Sequence, residues 1–329
     1  MTNRVNVDNF KRAESDTYFA KFSGDGVIGR FNHAREAVAI DKQDVIRMNR
    51  DTLYSAAVVD LDASSATVTL PDAGKRYRAM QVINEDHYTI ALAYNPGPYR
   101  FTREQASTRY VLFLVRTFFN PNDATDLKAV HSLQDGLKIE QRRSGSFEVP
   151  AWDMESLNKM REALNTVAAV NGGIDSRRMF GAKDEVDPVQ HLLGTAAGWG
   201  GNPASAAYYS GVTPSRNDGT TVYRLTVKEV PVEGFWSISV YNKDGFFEKN
   251  SRNVYSLNNV TAKRDSDGSV SVQFGGTDDP RVNCMPITPG WNYLVRLYRP
   301  HPSVLDGSWK FPEAQPVKES DVGRTSSAN

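Results

Sequence analysis

Two stretches of this chain can be laid on one another. Tyr77-Arg78-Ala79-Met80-Gln81-Val82-Ile83-Asn84-Glu85-Asp86 matches Phe235-Trp236-Ser237-Ile238-Ser239-Val240-Tyr241-Asn242-Lys243-Asp244, with Val, Asn and Asp in register. Each is apolar enough on both sides of a two-residue alternation for a central strand. A second pair follows: Tyr110 to Thr117 is echoed by Tyr293 to Pro300, each with an arginine near its end, Arg116 and Arg299. Each half thus has an apolar strand ending in Asn-x-Asp and a later strand ending in Arg. Such a repeat predicts two similar folding units. The expected class is mainly β with inserted helices (α+β), as two tandem β-sandwich or jelly-roll-like domains linked by a helical segment.

The rest of the chain fits that frame. Residues 7 to 23 read as an amphipathic helix capped by Asp8, with Phe10, Ala13, Tyr18 and Phe22 along one side, and Gly24 and Gly26 end it. From Ala56 to Phe119 the pattern is strand-like, broken by the turn Pro71-Asp72-Ala73-Gly74. Between 121 and 200 the period changes. Asp123 caps a helix to about Leu137, a second covers 153 to 171, and a third runs from Val186 to Ala197 with Pro188 in its first turn. Strands return after Ala204, and Asp267-Gly268 reads as a hairpin turn between Val260–Lys263 and Ser269–Phe274. The expected domains are therefore 1–120, a helical connection over 121–203, a second β domain over 204–317, and a loose polar tail over 318–329.

Composition removes several partners. Thirty-nine basic residues balance thirty-nine acidic ones, so no field concentrates nucleic acid or an anionic membrane. No run approaches the roughly 18 apolar residues of a membrane span, and the first residues lack a signal-peptide core. The expectation is a cytoplasmic protein, alone or as a homo-oligomer, acting on a small molecule. Cys284 is the single cysteine, which excludes an internal disulfide framework.

The densest polar stretch is Asn49-Arg50-Asp51-Thr52-Leu53-Tyr54-Ser55, which opens the strand-like Ala56 to Leu61. Polar side chains packed ahead of an apolar strand predict a buried hydrogen-bond network. It pins two sheets together or lines a pocket. Arg116 ends an otherwise apolar strand and needs a partner, for which Asp51 and Asp86 are the candidates.

This stretch resembles the signature of the DUF1254 proteins. Pro231 to Tyr241, together with Val295-Arg296-Leu297-Tyr298-Arg299-Pro300 and Leu305-Asp306-Gly307-Ser308-Trp309, resembles the companion DUF1214 domain. The resemblance covers nearly the whole chain. It implies tandem jelly-roll-like β domains with inserted helices and carries no established activity. It implies an export signal for longer members, which the first residues here do not show.

Several constellations could carry chemistry. In Asn84-Glu85-Asp86-His87-Tyr88 an acidic residue stands next to a histidine, although strand alternation sends Asp86 and His87 to opposite faces. The five histidines, His33, His87, His131, His191 and His301, show no metal-ligand spacing, so neither a metal nor a cofactor is expected. Ser55, Ser210 and Ser237 stand in no Gly-x-Ser-x-Gly elbow. Trp199, Trp236, Trp291, Tyr54, Tyr88 and Tyr241 pack a core or line a groove.

Two function classes stay open. One is a hydrolase or lyase for a small anionic or carbonyl-bearing substrate, with Asp51, Tyr54, Asp86 and His87 as catalytic candidates. Asn49, Arg50, Arg116, Trp236 and Tyr241 would bind the substrate. The other is a non-catalytic module binding a carbohydrate or small ligand in an aromatic groove between the two β domains.

Overall fold

The computed structural model describes residues 2–24, 26–43, 46–276 and 283–317. The expected tail, 318–329, lies outside them. The chain divides into two compact units. The first takes the residues up to Arg35, Thr52–Phe119 and Asp123–Ala206; the second takes Glu36–Asp51, Asn120–Asn122 and the residues from Ala207 on.

The first unit contains β1 (Asn32–His33), β2 (Thr52–Asp60), β3 (Ala66–Leu70), β4 (Arg78–Asn84), β5 (Thr89–Ala93), β6 (Gly97–Phe101), β7 (Tyr110–Phe118) and β8 (Lys138–Gln141). Its helices are α1 (Phe10–Ser23), α2 (Arg103–Ala106), α3 (Ala124–Asp135), α4 (Met154–Val170) and α5 (Pro188–Gly198). The strands form a sheet in the order β1-β2-β7-β4-β5 and another in the order β6-β3-β8. Ala57, Val59, Val68, Met80, Val82, Val111 and Phe113 fill the space between them, so the unit is a two-layer sandwich.

The outer face of the larger sheet is covered too. Phe19 of α1 packs against Val58, Ile83, Leu112 and Leu114. Burial on both faces explains why β7 is apolar along nearly its whole length instead of alternating. α1, α4 and α5 then share a core of Phe10, Ala13, Leu157, Leu164, Leu193 and Ala196. Asp123, Asp153 and Asp187 each accept backbone N–H bonds at a helix start, which satisfies otherwise orphaned donors. α1 is the exception. It begins after Asn9 and not Asp8, with no side-chain cap, because Asn9 bonds back to Asn6 and Arg4.

The second unit contains β9 (Ala207–Val212), β10 (Tyr223–Val227), β11 (Trp236–Tyr241), β12 (Ser256–Asn258), β13 (Val270–Phe274), β14 (Asn283–Met285), β15 (Asn292–Tyr298) and β16 (Gln315–Pro316), with α6 (Pro302–Leu305). Its sheets run β12-β11-β15-β9 and β14-β13-β10-β16. Leu225, Ile238, Val272, Phe274, Tyr293 and Val295 pack between them.

The two sandwiches repeat strand for strand. β2-β7-β4-β5 corresponds to β9-β15-β11-β12, and β6-β3-β8 to β13-β10-β16. β1 and β14 are additions, and the sheets stay open.

The register corrects one pairing read from the sequence. Arg116 lies opposite Ala79 on one side and Tyr54 on the other. At the matching positions Arg296 lies opposite Ser237 and Tyr209. The partner of Arg116 in the repeat is therefore Arg296 and not Arg299. Arg299 falls beyond the strand, at φ 51°, and pairs with Glu233. The hairpin expected from Val260–Lys263 also fails. Asn258 Oδ1 ties Val260 and Thr261 into a turn, and β13 pairs with β10 and β14.

Candidate functional site

β4 and β11 end in the same turn. In the first unit Asn84 N–H donates to Tyr88 O (3.0 Å), and Asn84 Oδ1 accepts from Asp86 N (3.1 Å) and Tyr88 N (2.9 Å). In the second, Asn242 N–H donates to Phe246 O (2.8 Å), and Asn242 Oδ1 accepts from Asp244 N (3.0 Å) and Phe246 N (3.0 Å). The fourth residue is left-handed in both, His87 at φ 66° and Gly245 at φ 85°. Glycine takes that conformation freely, whereas histidine pays about 1–2 kcal/mol.

The first-unit turn carries ionisable groups into the protein. Glu85 is buried; its Oε2 accepts from Tyr110 N (2.8 Å), and Arg12 Nη1 lies 3.9 Å from Oε1. Burial is the main cause that raises its pKa. Asp86 stays half-exposed and takes the Arg12 guanidinium at 2.6 Å.

One helical turn after Arg12, Asp16 is 1 % exposed. Its Oδ2 accepts from Trp152 Nε1 (2.8 Å), while Oδ1 is sealed in with no donor. Burial lifts the Asp16 carboxyl to about 7, and the neighbouring Glu85 carboxyl pushes the same way. Two buried carboxyls side by side cannot both ionise cheaply, and a proton held between them satisfies the orphaned oxygen.

His87 turns away from Asp86 into the interior. Nδ1 lies 2.8 Å from Thr195 Oγ1, whose own proton goes to His191 O (2.8 Å). Gly200 N–H donates to Nε2 (2.8 Å). These partners assign the tautomer protonated on Nδ1. Trp199 and His191 stack on the ring at 5.2 and 5.4 Å. Burial holds His87 neutral, with its pKa well below the usual histidine value. Both ring nitrogens are committed, so the general-base role expected for His87 has no free nitrogen to use.

Gly200 links this turn to the buried arginine. Its carbonyl accepts from Arg116 Nη2 (2.5 Å), and Arg116 Nη1 donates to Gln81 Oε1 (2.7 Å) and Asn202 Oδ1 (3.1 Å). Arg116 also lies over the Tyr54 ring at 5.5 Å. Tyr54, Arg116 and His87 thus belong to one network. Asp86 is not the partner foreseen for Arg116; it goes to Arg12.

The first half of the polar heptad belongs to the second unit. Asp51 is fully buried, and its Oδ1 accepts from Asn258 Nδ2 (3.2 Å). Burial raises its pKa, opposed first by the charge of Arg296. The cation at Asp51 is thus Arg296, and not Arg116, for which the sequence offered Asp51 as a partner. Asp51 Oδ2 and Ser237 Oγ are sealed in short of a well-formed hydrogen bond, although the Ser237 hydroxyl still favours the carboxylate. Arg296 donates to Ser239 Oγ (2.9 Å), Tyr241 Oη (2.7 Å), Arg47 O (2.8 Å) and Met48 O (3.3 Å). Asn49 donates to Tyr298 Oη (3.0 Å), and Arg50 reaches Val38 O and lies over the Tyr255 ring at 5.3 Å. Trp236 is buried against Phe311 at 5.8 Å. Asn49, Arg50, Asp51 and Tyr241 therefore build a structural network in the second unit. Among the described residues, no three His, Cys, Asp or Glu side chains gather as a metal cage.

Sequence reading missed Arg12, Asp16 and His191. Only the spacing of Arg12 and Asp16, which puts both on one helix face, could have signalled a joint role.

The chain matches two family models. Residues 28–100 match a protein of unknown function, DUF1254, and residues 205–302 match a protein of unknown function, DUF1214. Among solved structures it is similar to the VPA0106 protein from Vibrio parahaemolyticus, at 18 % identity and a TM-score of 0.72, covering 95 % of this chain and 100 % of that one. It is also similar to an uncharacterized protein from Burkholderia cenocepacia, at 17 % identity and a TM-score of 0.52, covering 89 % and 84 %. At these identities the likeness is one of fold. No curated protein matches.

Proposed function

For a chain that carries a DUF1254 domain followed by a DUF1214 domain, we propose a hydrolase or lyase activity on a small anionic substrate at the 84–88 turn. One observation carries the reading. The fold repeats this turn, and only the first copy packs carboxyls against a second buried carboxyl and an arginine. The fold itself does not require that loading, since the second copy forms with Lys243, Asp244 and Gly245. Buried carboxyls with shifted pKa values are the means by which proteins hold an acid at neutral pH.

Each group has a role in this reading. Arg12, half-exposed and already holding Asp86, exchanges that carboxylate for one on the substrate. Asp16, sealed behind the turn, shares its proton with Glu85, and Glu85 passes it to the leaving oxygen. Glu85 is restored by the proton released from the attacking water, or in a lyase by the one removed from the substrate carbon, so the carboxyl pair ends each cycle as it began. His87 and Arg116 fix the frame behind the turn.

The test is a panel of small carboxylate-bearing esters, lactones and hydroxy acids, run on the wild type and on Asp16→Asn and Glu85→Gln. Turnover that falls by about 10²–10⁴ in both variants, with the fold intact, supports the proposal. Turnover that survives both, or an inert wild type across the panel, sinks it.

A further inference from the structure

We propose that Tyr88 is a further substrate-binding residue of the 84–88 turn. Its hydroxyl, held by Lys11, donates to a carbonyl oxygen on the same substrate whose carboxylate Arg12 receives. The inference rests on the reading of this turn as a site for a small anionic substrate. It narrows that substrate to a carboxylate that also carries a carbonyl: an ester, a lactone or an oxo acid.

The placement begins with α1. Lys11 and Arg12 are neighbours on that helix, and both reach the turn. Arg12 Nη2 lies 2.6 Å from Asp86 Oδ1, and Lys11 Nζ donates to Tyr88 Oη at 3.2 Å. Asp86 and Tyr88 stand two residues apart, and all four residues are half-buried, so a ligand can meet them from solvent.

The hydrogen bonding at Tyr88 is one-sided. An ammonium has only donors, so Lys11 fills an acceptor site of the phenol and leaves the phenol's own proton unused. Among the described residues no acceptor meets that proton. The ring is held as well. It stacks on His191 at 4.6 Å and 13°, and the Lys11 ammonium lies 4.9 Å from its centroid. A donor fixed before the ligand arrives loses little freedom on binding. A hydroxyl that accepts from a cation is polarised and donates more strongly. These are the properties of a group that receives charge building on a carbonyl oxygen. A plain alkyl carboxylate satisfies Arg12 and leaves the Tyr88 proton unmet, and a neutral carbonyl compound does the reverse. A substrate with both groups meets both residues.

The test is an NMR titration of the whole chain with oxo acids whose carbonyl lies on the second, third or fourth carbon. Each is compared with the unsubstituted acid of the same length, to about 50 mM at fixed ionic strength. At least one oxo acid is expected to bind about tenfold tighter than its plain partner, the worth of one added charge-assisted hydrogen bond. Tyr88→Phe keeps the ring and should abolish that gain while leaving the plain acid unaffected. Lys11→Met keeps the stem and should reduce the gain; the loss of its charge weakens both acids alike and cancels in the ratio. Plain acids that depend on Arg12, shown by their loss in Arg12→Met, with no gain from any oxo acid or with a gain that survives Tyr88→Phe, overturn this inference and leave the anion site standing. A gain untouched by Lys11→Met overturns the role of Lys11. Acids that do not bind, or that bind as well to Arg12→Met, overturn the anion site and the inference with it.

Discussion

The turn at 84–88 and the turn at 242–246 share their backbone hydrogen bonds and differ in almost every side chain that could do chemistry. Both are built on an asparagine whose side-chain oxygen collects two N–H groups, with a left-handed residue in fourth place. In the second copy that residue is glycine, and the Lys243–Asp244 pair beside it is exposed. In the first it is histidine, which bears backbone strain, and its neighbours lead inward to Asp16, Arg12 and Thr195. The backbone thus demands only the asparagine and the left-handed step. Everything else is free to diverge, and divergence that costs stability is where function is best sought.

The buried arginines give the same lesson from the other side. Arg116 and Arg296 hold matching registers, and each donates to the matching side chain of the neighbouring strand, Gln81 in one and Ser239 in the other. Each also takes a carbonyl from the segment that leads, in the chain, to the other sandwich's first strand: Gly200 ahead of β9 for Arg116, Arg47 ahead of β2 for Arg296. Here the repeat conserves the chemistry, because a buried cation without acceptors would cost several kcal/mol.

The largest expected effect tests whether the second arginine depends on its carboxylate. Asp51→Ala leaves Arg296 buried with hydroxyls and carbonyls alone. The loss should be about 3–5 kcal/mol by urea denaturation. A loss under about 1 kcal/mol would show that neutral acceptors suffice.

Acidity sharpens the contrast between the turns next. The folded protein holds the Asp16 proton up to about pH 7, while an unfolded aspartate releases it near 3.8. That contribution is full below the unfolded value and is lost as pH rises through about 7, on the order of 4 kcal/mol in all. His87 has the opposite sign. It is buried neutral, so its contribution is present above the ordinary value of 6.5 and is lost as pH falls. Asp16→Asn should therefore reduce the downward slope toward neutrality, leaving the same-signed contributions of Glu85 and Asp51 against the opposite one of His87. Denaturation curves from pH 4 to 8 read this directly; a slope unchanged by Asp16→Asn contradicts the buried carboxyl pair.

Exchanging the left-handed residue is milder. His87→Gly makes the first turn resemble the second. It relieves about 1 kcal/mol of backbone strain but forfeits two hydrogen bonds and a stacked ring. A net loss of about 2 kcal/mol is expected. A gain in stability would show that the ring is uncompensated strain.

The repeat, the mainly β class and the Asp123 cap were visible in the sequence, because strand alternation and Asp at a helix start are local patterns, although the same pattern misplaced a cap at Asp8. The register of the echoed arginine was not. Arg296 and Arg299 both end the same apolar run, and only pairing across to Ser237 distinguishes them. The carboxyl pair was hidden for a different reason. A helix is read by assigning its charged residues to solvent, yet α1 buries Glu14, Ser15 and Asp16 to within 1 %. Glu14 meets Arg161 at 2.6 Å and Asp16 meets Trp152, both from distant parts of the chain. Such partners leave no mark at the spacing of a single helix. The heptad was legible as a buried polar network, but its division after Asp51 was not, since no composition change marks where one unit's residues give way to the other's.

The smallest effect asks whether the second turn could have been loaded like the first. Gly245 sits at φ 85°, and a methyl group there would stand 3.2 Å from Ile46 Cβ. The left-handed penalty for a residue with a Cβ is about 1–2 kcal/mol, against about 0.4–1 kcal/mol gained by restricting the unfolded chain. Gly245→Ala should therefore cost about 1 kcal/mol, read as a shift in the urea midpoint with an unchanged slope. A cost near 1 kcal/mol means that a side chain at this position is a burden the second turn avoids and the first has retained, with His87 compensated by Thr195 and Gly200. A neutral substitution means that the turn accepts side chains freely. In that case His87 needs no compensation, and the difference between the turns says nothing about where the chemistry lies.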